Sequence, residues 1–253
     1  MLREIFCIIA AVTCVVFIMA GCNNPVDPAA GDGDFLTAPA GATKIYSDGF
    51  EGDLSKWDEK YMIVVSDFYY HMQQTTAAFH SGKNSITADS NRTALLYSLS
   101  DERSVDQGIA GVQFYIMANE KGQTNFTVEI GKNAGSSGGL GKAFGIGFDP
   151  NDSIKCKAYD MLGSEQVGDF MVAPIELGHW YKCVVEVDFT AKKVRYTIDD
   201  MNHTIDLPSS DMSKIDRLLV FRGQTTERPN YSSVDCAEGK KQYYVDDIVF
   251  YKK

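Results

Sequence analysis

The feature that most constrains the fold of this chain is a set of short segments in which apolar and polar residues alternate with a period of two. The clearest of these segments lie at 110–117, 126–131, 181–189 and 194–199. Successive side chains of a strand point to opposite faces, so the pattern predicts strands with one buried face. Turn sequences such as GSSGG at 135–139 and DPND at 149–152 separate them, and no long stretch has helical periodicity.

The spacing of these segments indicates the fold class. Further strands are predicted near 61–65, 68–74, 84–88, 93–98, 142–148, 153–159, 168–172, 202–206, 217–222 and 242–251. About a dozen short strands separated by turns predict an all-β chain that folds as an antiparallel two-sheet β-sandwich. A large jelly roll suits the length best, with the first and last strands close together.

The N-terminus predicts export. Residues 5–20 form an uncharged, mainly apolar run, and at sixteen residues it is shorter than a comfortable membrane span and fits a signal peptide better. The run ends in Met19-Ala20-Gly21-Cys22, which resembles the lipobox of bacterial lipoproteins. The resemblance implies cleavage before Cys22, lipidation of Cys22, and a membrane-anchored protein of the bacterial cell envelope, in the outer membrane or at the cell surface. The alternative is a signal anchor that is never cleaved.

Composition divides the chain into three parts. Residues 1–21 are the predicted signal peptide, and residues 22–42, rich in Pro, Gly, Ala and Asp, are a predicted lipidated flexible tether. Residues 43–253 have the length of one β-sandwich domain, without a second linker or an internal repeat.

Charge and cysteine usage exclude some classes of function. The formal net charge of −10 makes the chain a poor partner for nucleic acid, which requires a basic patch. Cys156, Cys183 and Cys236 remain after the signal peptide and the lipidated residue are set aside. Three cysteines cannot all pair within one chain, and we expect small core residues with at most one disulfide.

Four segments resemble bacterial carbohydrate-binding jelly rolls of the concanavalin A-like, laminin G-like kind. They are SDGFEGDLSKW at 47–57, AFHSGKNSI at 78–86, GHWYK at 178–182 and YVDDIVF at 244–250. They occur in the expected order and span nearly all of 43–253. The resemblance implies the fold, core positions for Trp57 and Trp180, and a structural role for His80, but it says much less about a ligand.

Catalytic motifs are not recognisable, so no catalytic residue is predicted and the chain is interpreted as a non-enzyme rather than an enzyme. Glucanases of similar fold carry three carboxylates as E-x-D-x-x-E; here Glu186 and Asp188 begin that pattern, but Ala191 replaces the last Glu. A glycosidase needs two carboxylates on either side of the bond it cleaves, so the missing acid argues against hydrolysis. The four histidines are not spaced as metal ligands.

The leading functional hypothesis is non-catalytic binding of a poly- or oligosaccharide by a lipid-anchored module. Aromatic side chains stack on the apolar faces of sugar rings and arginine donates to hydroxyls, so Tyr69, Tyr115 and Arg222 are predicted to lie near one sheet face and hold the saccharide. One alternative is a polysaccharide lyase or glycoside hydrolase whose motif is not recognised. Another is a structural or adhesive surface lipoprotein without a sugar ligand.

A structural calcium ion is the last prediction. In similar jelly rolls a carboxylate of the opening Phe-Glu and one of the closing Asp-Asp meet at calcium, which implies Asp48, Glu51, Asp246 and Asp247 as candidate ligands here. Adjacent residues of an unbroken strand face opposite sides, so at least one of Asp246 and Asp247 points toward packed surface, where an unpaired charge is costly. A hard cation with oxygen ligands would remove that cost.

Overall fold

The structure, a computed structural model, describes residues 35–61, 72–88, 93–120, 126–133, 140–149, 153–160, 166–208, 212–222 and 243–253. This part of the chain is nearly all β and forms two antiparallel sheets packed as a sandwich, which confirms the predicted fold class. No helix within these ranges has the length and apolar content needed to cross a membrane. The predicted signal peptide, Cys22, Tyr69 and Cys236 lie outside the described residues.

The described strands run from Thr43 to Lys252. In chain order they are β1 (Thr43–Asp48), β2 (Asp58–Tyr61), β3 (Met72–Thr75), β4 (Ser85–Ala88), β5 (Thr93–Ser98), β6 (Ile109–Ala118), β7 (Phe126–Asn133), β8 (Leu140–Asp149), β9 (Ser153–Asp160), β10 (Gln166–Pro174), β11 (Tyr181–Asp188), β12 (Lys193–Ile198), β13 (Met201–Asp206), β14 (Arg217–Arg222) and β15 (Tyr243–Lys252). One sheet has eight strands in the order β13-β12-β11-β6-β15-β4-β3, with β1 also paired to β15. The other has seven in the order β10-β9-β8-β7-β14-β5-β2.

The core lies between the sheets and is rich in aromatic side chains. Tyr243 of β15 stacks with Phe126 and Phe148 of the opposite sheet, at ring-centroid distances of 5.5 and 5.3 Å. Such pairs contribute roughly 0.5–1.5 kcal/mol each beyond the area they bury. Trp57 belongs to this core as expected, whereas Trp180 is only half-buried.

Both described cysteines are buried residues with free thiols. Cys156 and Cys183 are 0% exposed, on β9 and β11 respectively. Burial raises the pKa of the Cys156 thiol to about 12 and also raises that of Cys183. Both therefore serve as small apolar core residues rather than as reactive thiols.

The two ends of the folded part meet on strand β15, as predicted. One edge of β15 pairs first with β4, at Tyr244 and Val245, and then with β1, from Ile248 to Lys252. The change of partner coincides with a bulge between Asp246 and Val249 in the pairing with β6. At this bulge Asp247 has a φ of 49°, in the left-handed region.

The alternation expected for the last strand is wrong because of this bulge. An unbroken strand would place Tyr243, Val245 and Asp247 on one face. Instead, the core contains Tyr243 and Val245 before the bulge and Ile248 and Phe250 after it. The extra residue at the bulge turns every later side chain to the opposite face of the sheet. Odd-numbered residues therefore face the core before the Asp pair, and even-numbered residues face it afterwards.

Candidate functional site

Asp247 is the centre of a buried polar group at the point where β15 changes partner. Its side chain is 0% exposed, and both of its oxygens are hydrogen-bonded. The loop between β3 and β4 supplies the partners: His80 Nδ1 lies 2.7 Å from one oxygen, and the Ser81 hydroxyl donates to the other at 2.7 Å. A buried carboxylate requires such donors, because without them its desolvation would be costly.

Asp246 is equally buried and binds the same loop through its backbone. Its carboxylate accepts hydrogen bonds from the N–H groups of His80 at 2.8 Å, Ser81 at 3.3 Å and Asp247 at 2.8 Å. Burial first, and then the charge of Asp247, raise the pKa of Asp246 above its ordinary value, while the three N–H donors oppose that rise. The two acids together fasten the β3–β4 loop to the last strand.

The two acids of the opening segment are also satisfied by protein donors. Asp48 accepts from the Tyr46 hydroxyl at 2.7 Å, Trp57 Nε1 at 2.9 Å and the Phe50 N–H at 2.8 Å. These bonds attach the end of β1 to the core.

Glu51 lies on the exposed side of the same junction. Its carboxylate accepts from the backbone N–H groups of Lys83 at 2.6 Å and Asn84 at 2.8 Å, and from the Asn84 side chain at 3.1 Å. Gly82 has a φ of +64°, and a Cβ there would lie 2.2 Å from a Glu51 oxygen, so this turn requires glycine.

The four predicted calcium ligands therefore surround the junction but form a hydrogen-bonded hub. All eight of their carboxylate oxygens accept at least one hydrogen bond from the protein. Among the described residues, no group of three or more His, Cys, Asp or Glu side chains is arranged to hold a metal ion. Each carboxylate oxygen keeps a lone pair beyond the hydrogen bond it accepts, so an ion would share these oxygens with the existing donors or replace those donors; calcium binding stays a prediction.

Four rings form an aromatic cluster beside this hub: Phe35, His80, Tyr115 and Trp180. The imidazole of His80 stacks on Tyr115 of β6, with centroids 3.6 Å apart and planes at 14°. Trp180 and Phe35 stand edge-on to His80 at 5.8 and 4.7 Å. Burial, and then the charge of Asp247, raise the pKa of Tyr115 to about 12, so its hydroxyl stays protonated at neutral pH.

The cluster is partly open to solvent. Phe35, Tyr115 and Trp180 are half-buried. No described residue hydrogen-bonds Nε2 of His80. If Nδ1–H donates to Asp247, Nε2 is an acceptor that can receive a hydrogen bond from a hydroxyl.

A histidine–aspartate pair lies near the cluster, and exposed apolar residues are close to it in sequence. Asp199, at the turn between β12 and β13, accepts from His179 Nε2 at 2.9 Å and from the Lys182 N–H at 2.8 Å. The large apolar side chains exposed within the described residues are Phe79, Leu177 and Met201. Phe79 directly precedes His80 in the chain, Leu177 precedes His179, and Met201 follows Asp199.

The arrangement does not reproduce a nucleophilic triad. In a Ser-His-Asp triad the imidazole contacts the serine hydroxyl. Here Asp247 lies between Ser81 and His80, and the Ser81 hydroxyl donates to the carboxylate.

The two acids of the incomplete glucanase pattern are also engaged by neighbours. Glu186 accepts from the Tyr251 hydroxyl and Lys253, and Asp188 accepts from Arg195 at 2.8 Å.

The predicted sugar-binding residues are not all brought together. Tyr115 lies in the aromatic cluster on β6, in the eight-stranded sheet. Arg222 ends β14 in the seven-stranded sheet, where its backbone pairs with Thr93 and Phe126. The structure therefore does not place Tyr115 and Arg222 on one sheet, and Tyr69 lies outside the described residues.

Sequence reasoning did not find Phe35, His80 and Trp180 as site residues. His80 and Trp180 fall in motif segments, which favoured structural roles. Phe35 lies in the segment interpreted as tether, and its sequence signal is a large aromatic residue among Pro, Gly, Ala and Asp.

Comparisons with known proteins identify the fold. No protein-family model and no curated protein matches the chain. A carbohydrate esterase from the Shiga toxin-encoding bacteriophage phi24B aligns with a TM-score of 0.52 at 13% identity, covering 84% of this chain and 100% of that one. The CBM2 module of the evolved Dit of Lactobacillus casei BL23 phage J-1 aligns at 0.51 and 8% identity, covering 83% and 96%.

A further similar structure comes from the endo-acting O-glycanases that prominent members of the human gut microbiota express to initiate mucin breakdown. It aligns with a TM-score of 0.58 at 8% identity, covering 83% of this chain and 100% of that one. The structural neighbours are thus carbohydrate-binding or carbohydrate-active β-sandwich domains, and at these identities the likeness shows the fold alone.

Proposed function

We propose that this chain is a lipid-anchored protein of the bacterial cell envelope whose β-sandwich binds a poly- or oligosaccharide without cleaving it. Saccharide binding is supported mainly by the extent of the structural likeness. Three sugar-related structures are each matched over 96–100% of their own length. The lipid anchor is supported by Met19-Ala20-Gly21-Cys22 after the apolar run.

Three rings of the aromatic cluster, those of His80, Tyr115 and Trp180, form the proposed sugar-binding surface. Half-buried rings such as Tyr115 and Trp180 offer apolar area to the C–H face of a sugar and lose little solvation on doing so. Nε2 of His80, which no described residue hydrogen-bonds, would accept from a hydroxyl when Nδ1–H donates to Asp247. The His179–Asp199 pair supplies further polar contacts at the margin.

The non-catalytic role is supported by how the described acids are used. Glu186 and Asp188 are neutralised by Lys253 and Arg195, and Asp246 and Asp247 hold the β3–β4 loop. A general acid and base need a gap between two carboxylates that a glycosidic bond can enter. These acids instead face protein donors.

The test is binding and product analysis with the full-length chain in detergent. A glycan array identifies the saccharide, and titration calorimetry then compares the wild type with Tyr115→Ala and the matched control Tyr115→Phe. A stacked ring contributes roughly 0.5–1.5 kcal/mol, so Tyr115→Ala should weaken binding several-fold while Tyr115→Phe keeps it. No heat with any saccharide of a broad panel defeats the proposal. Shortened or unsaturated chains after incubation would favour the lyase or hydrolase alternative.

A further inference from the structure

The end of the predicted tether packs on the fold. The Leu36 carbonyl accepts from Lys44 Nζ at 3.0 Å, and the Ala42 N–H donates to the Pro39 carbonyl at 2.9 Å. A Cβ at Gly49 would lie 3.4 Å from Leu36, so the Leu36 side chain lies close to that backbone. Residues 35–42 therefore have a defined path over the surface before β1 begins.

This path delivers one ring to the aromatic cluster. Phe35 stands edge-on to His80 at 4.7 Å and to Tyr115 at 6.1 Å, with interplanar angles of 81° and 90°. Edge-to-face geometry at these distances is the favourable arrangement for aromatic pairs. Phe35 thus occupies space next to two of the rings to which the saccharide is proposed to bind.

We infer that Phe35 is an intramolecular plug of the sugar-binding surface, which a saccharide must displace. The inference rests on the proposed function. The plug connects occupancy of the site to the tether. With Phe35 docked, the chain is fixed to the fold from residue 35. With Phe35 displaced, the predicted tether gains several residues on the side of β1, each adding up to about 3.3–3.6 Å of length. Saccharide binding would therefore let the domain move farther from its anchor.

The thermodynamic consequence is a reduced apparent affinity. Only the fraction of molecules with Phe35 displaced can bind, so the apparent Kd rises by the inverse of that fraction. An aromatic contact of ordinary strength corresponds to roughly a two- to tenfold effect.

The experiment compares the full-length wild type with Phe35→Ala and with Thr43→Ala, a control that shortens an exposed side chain at the start of β1. Mucin, a soluble β-glucan and a chitin oligosaccharide serve as probes. For any probe that binds, Phe35→Ala should bind about two- to tenfold more tightly and Thr43→Ala should match the wild type. Hydrogen exchange of residues 35–42 should accelerate when that probe is added to the wild type.

Three results overturn the inference. Weaker or unchanged binding by Phe35→Ala would make Phe35 a ligand contact or a bystander. Unchanged exchange of residues 35–42 on saturation would show that the tether is not displaced. If neither the wild type nor Phe35→Ala binds any of these probes or any saccharide of the broad panel, the saccharide function fails and the competition fails with it. Hydrogen exchange of the ligand-free wild type and Phe35→Ala would still report whether Phe35 is docked.

Discussion

Asp247 combines an unusual backbone conformation with two buried side-chain bonds. Its φ of 49° is uncommon for a residue other than glycine, although aspartate tolerates it better than most. That conformation directs the carboxylate to His80 and Ser81. Because His80 stacks on Tyr115, the geometry of the aromatic cluster depends on this one side chain.

Replacement of Asp247 by Asn should therefore destabilise the fold. Asn accepts the left-handed backbone, but its NH2 group would face either His80 Nδ1 or the Ser81 hydroxyl, each of which is a donor to the carboxylate in the wild type. We expect a loss of about 1–3 kcal/mol in the free energy of unfolding, measured by urea titration in the presence of chelator. Asp206→Asn is the control, since that carboxylate is 87% exposed and pairs only at the surface. Equal effects of the two substitutions would contradict the role of Asp247.

Single residues of the site were predictable to different degrees. The four acids and Tyr115 were found because motif positions and alternation mark them in the sequence. The contacts of His80, Trp180 and Phe35 were not, because they join segments far apart in the chain, such as 35, 80, 115 and 180. Ring-on-ring packing leaves no periodic signal.

At the scale of elements, alternation predicted the strands that bury one face. Strand β11 has Cys183, Val185 and Val187 at 0% exposure, as its pattern indicates. Strand β1 was missed, and β2 begins three residues before the strand predicted near 61–65. The sequence Asp58–Tyr61 lacks an alternating apolar set and forms a strand by pairing with β5. The bulge in β15 was also missed, because the sequence pattern that predicts a strand does not show where an extra residue interrupts the pairing.

The close contact between β7 and β8 depends on glycine. A Cβ at Gly147 would lie 2.1 Å from the Phe126 carbonyl oxygen, which belongs to the backbone and cannot rotate away. We expect Gly147→Ala to lower the free energy of unfolding by about 1–3 kcal/mol, because the two strands must separate. Gly52→Ala is the control, since a Cβ there meets nothing within 4 Å. Chemical denaturation of both variants tests this, and a stability like that of the wild type for Gly147→Ala would refute it.

At the scale of the whole molecule, the sandwich fixes where its N-terminus emerges. Strand β1 pairs with β15 beside the polar hub, so the tether starts next to the aromatic cluster. Strand number and motif order were enough to predict the sandwich and the proximity of its ends. They could not predict which sheet holds Tyr115 or Arg222, because the sheet assignment of a strand depends on pairing across the whole chain.

The membrane anchor is a prediction about the whole molecule. Cys22→Ser removes the thiol that would carry lipid, and several acyl chains are what hold a lipoprotein firmly in a bilayer. We expect loss of labelled lipid from the variant and its release from the detergent phase in phase partitioning. Cys156→Ser is the control, because that thiol is buried in the core. Unchanged partitioning of Cys22→Ser would refute lipidation at this residue.

Calcium at the junction of the chain ends is the last prediction. An ion that binds only the folded state raises stability by mass action, by about 2.7 kcal/mol at a hundredfold excess over its Kd. The exposed Glu51, held by backbone N–H groups of a loop, is the acid whose donors are most easily displaced.

Thermal melting with calcium and with chelator should show a higher midpoint in calcium, and Asp246→Asn should abolish the difference. Asp149→Asn is the matched control, since that buried acid binds Lys155 and Ser153 far from the predicted ligands in sequence; it should keep the shift. Magnesium should have little effect, because it demands tighter octahedral geometry and releases water reluctantly. Identical midpoints in calcium and chelator, with no metal in elemental analysis, would mean that hydrogen bonds from the protein alone, such as those of His80, Ser81 and Asn84, compensate these carboxylates.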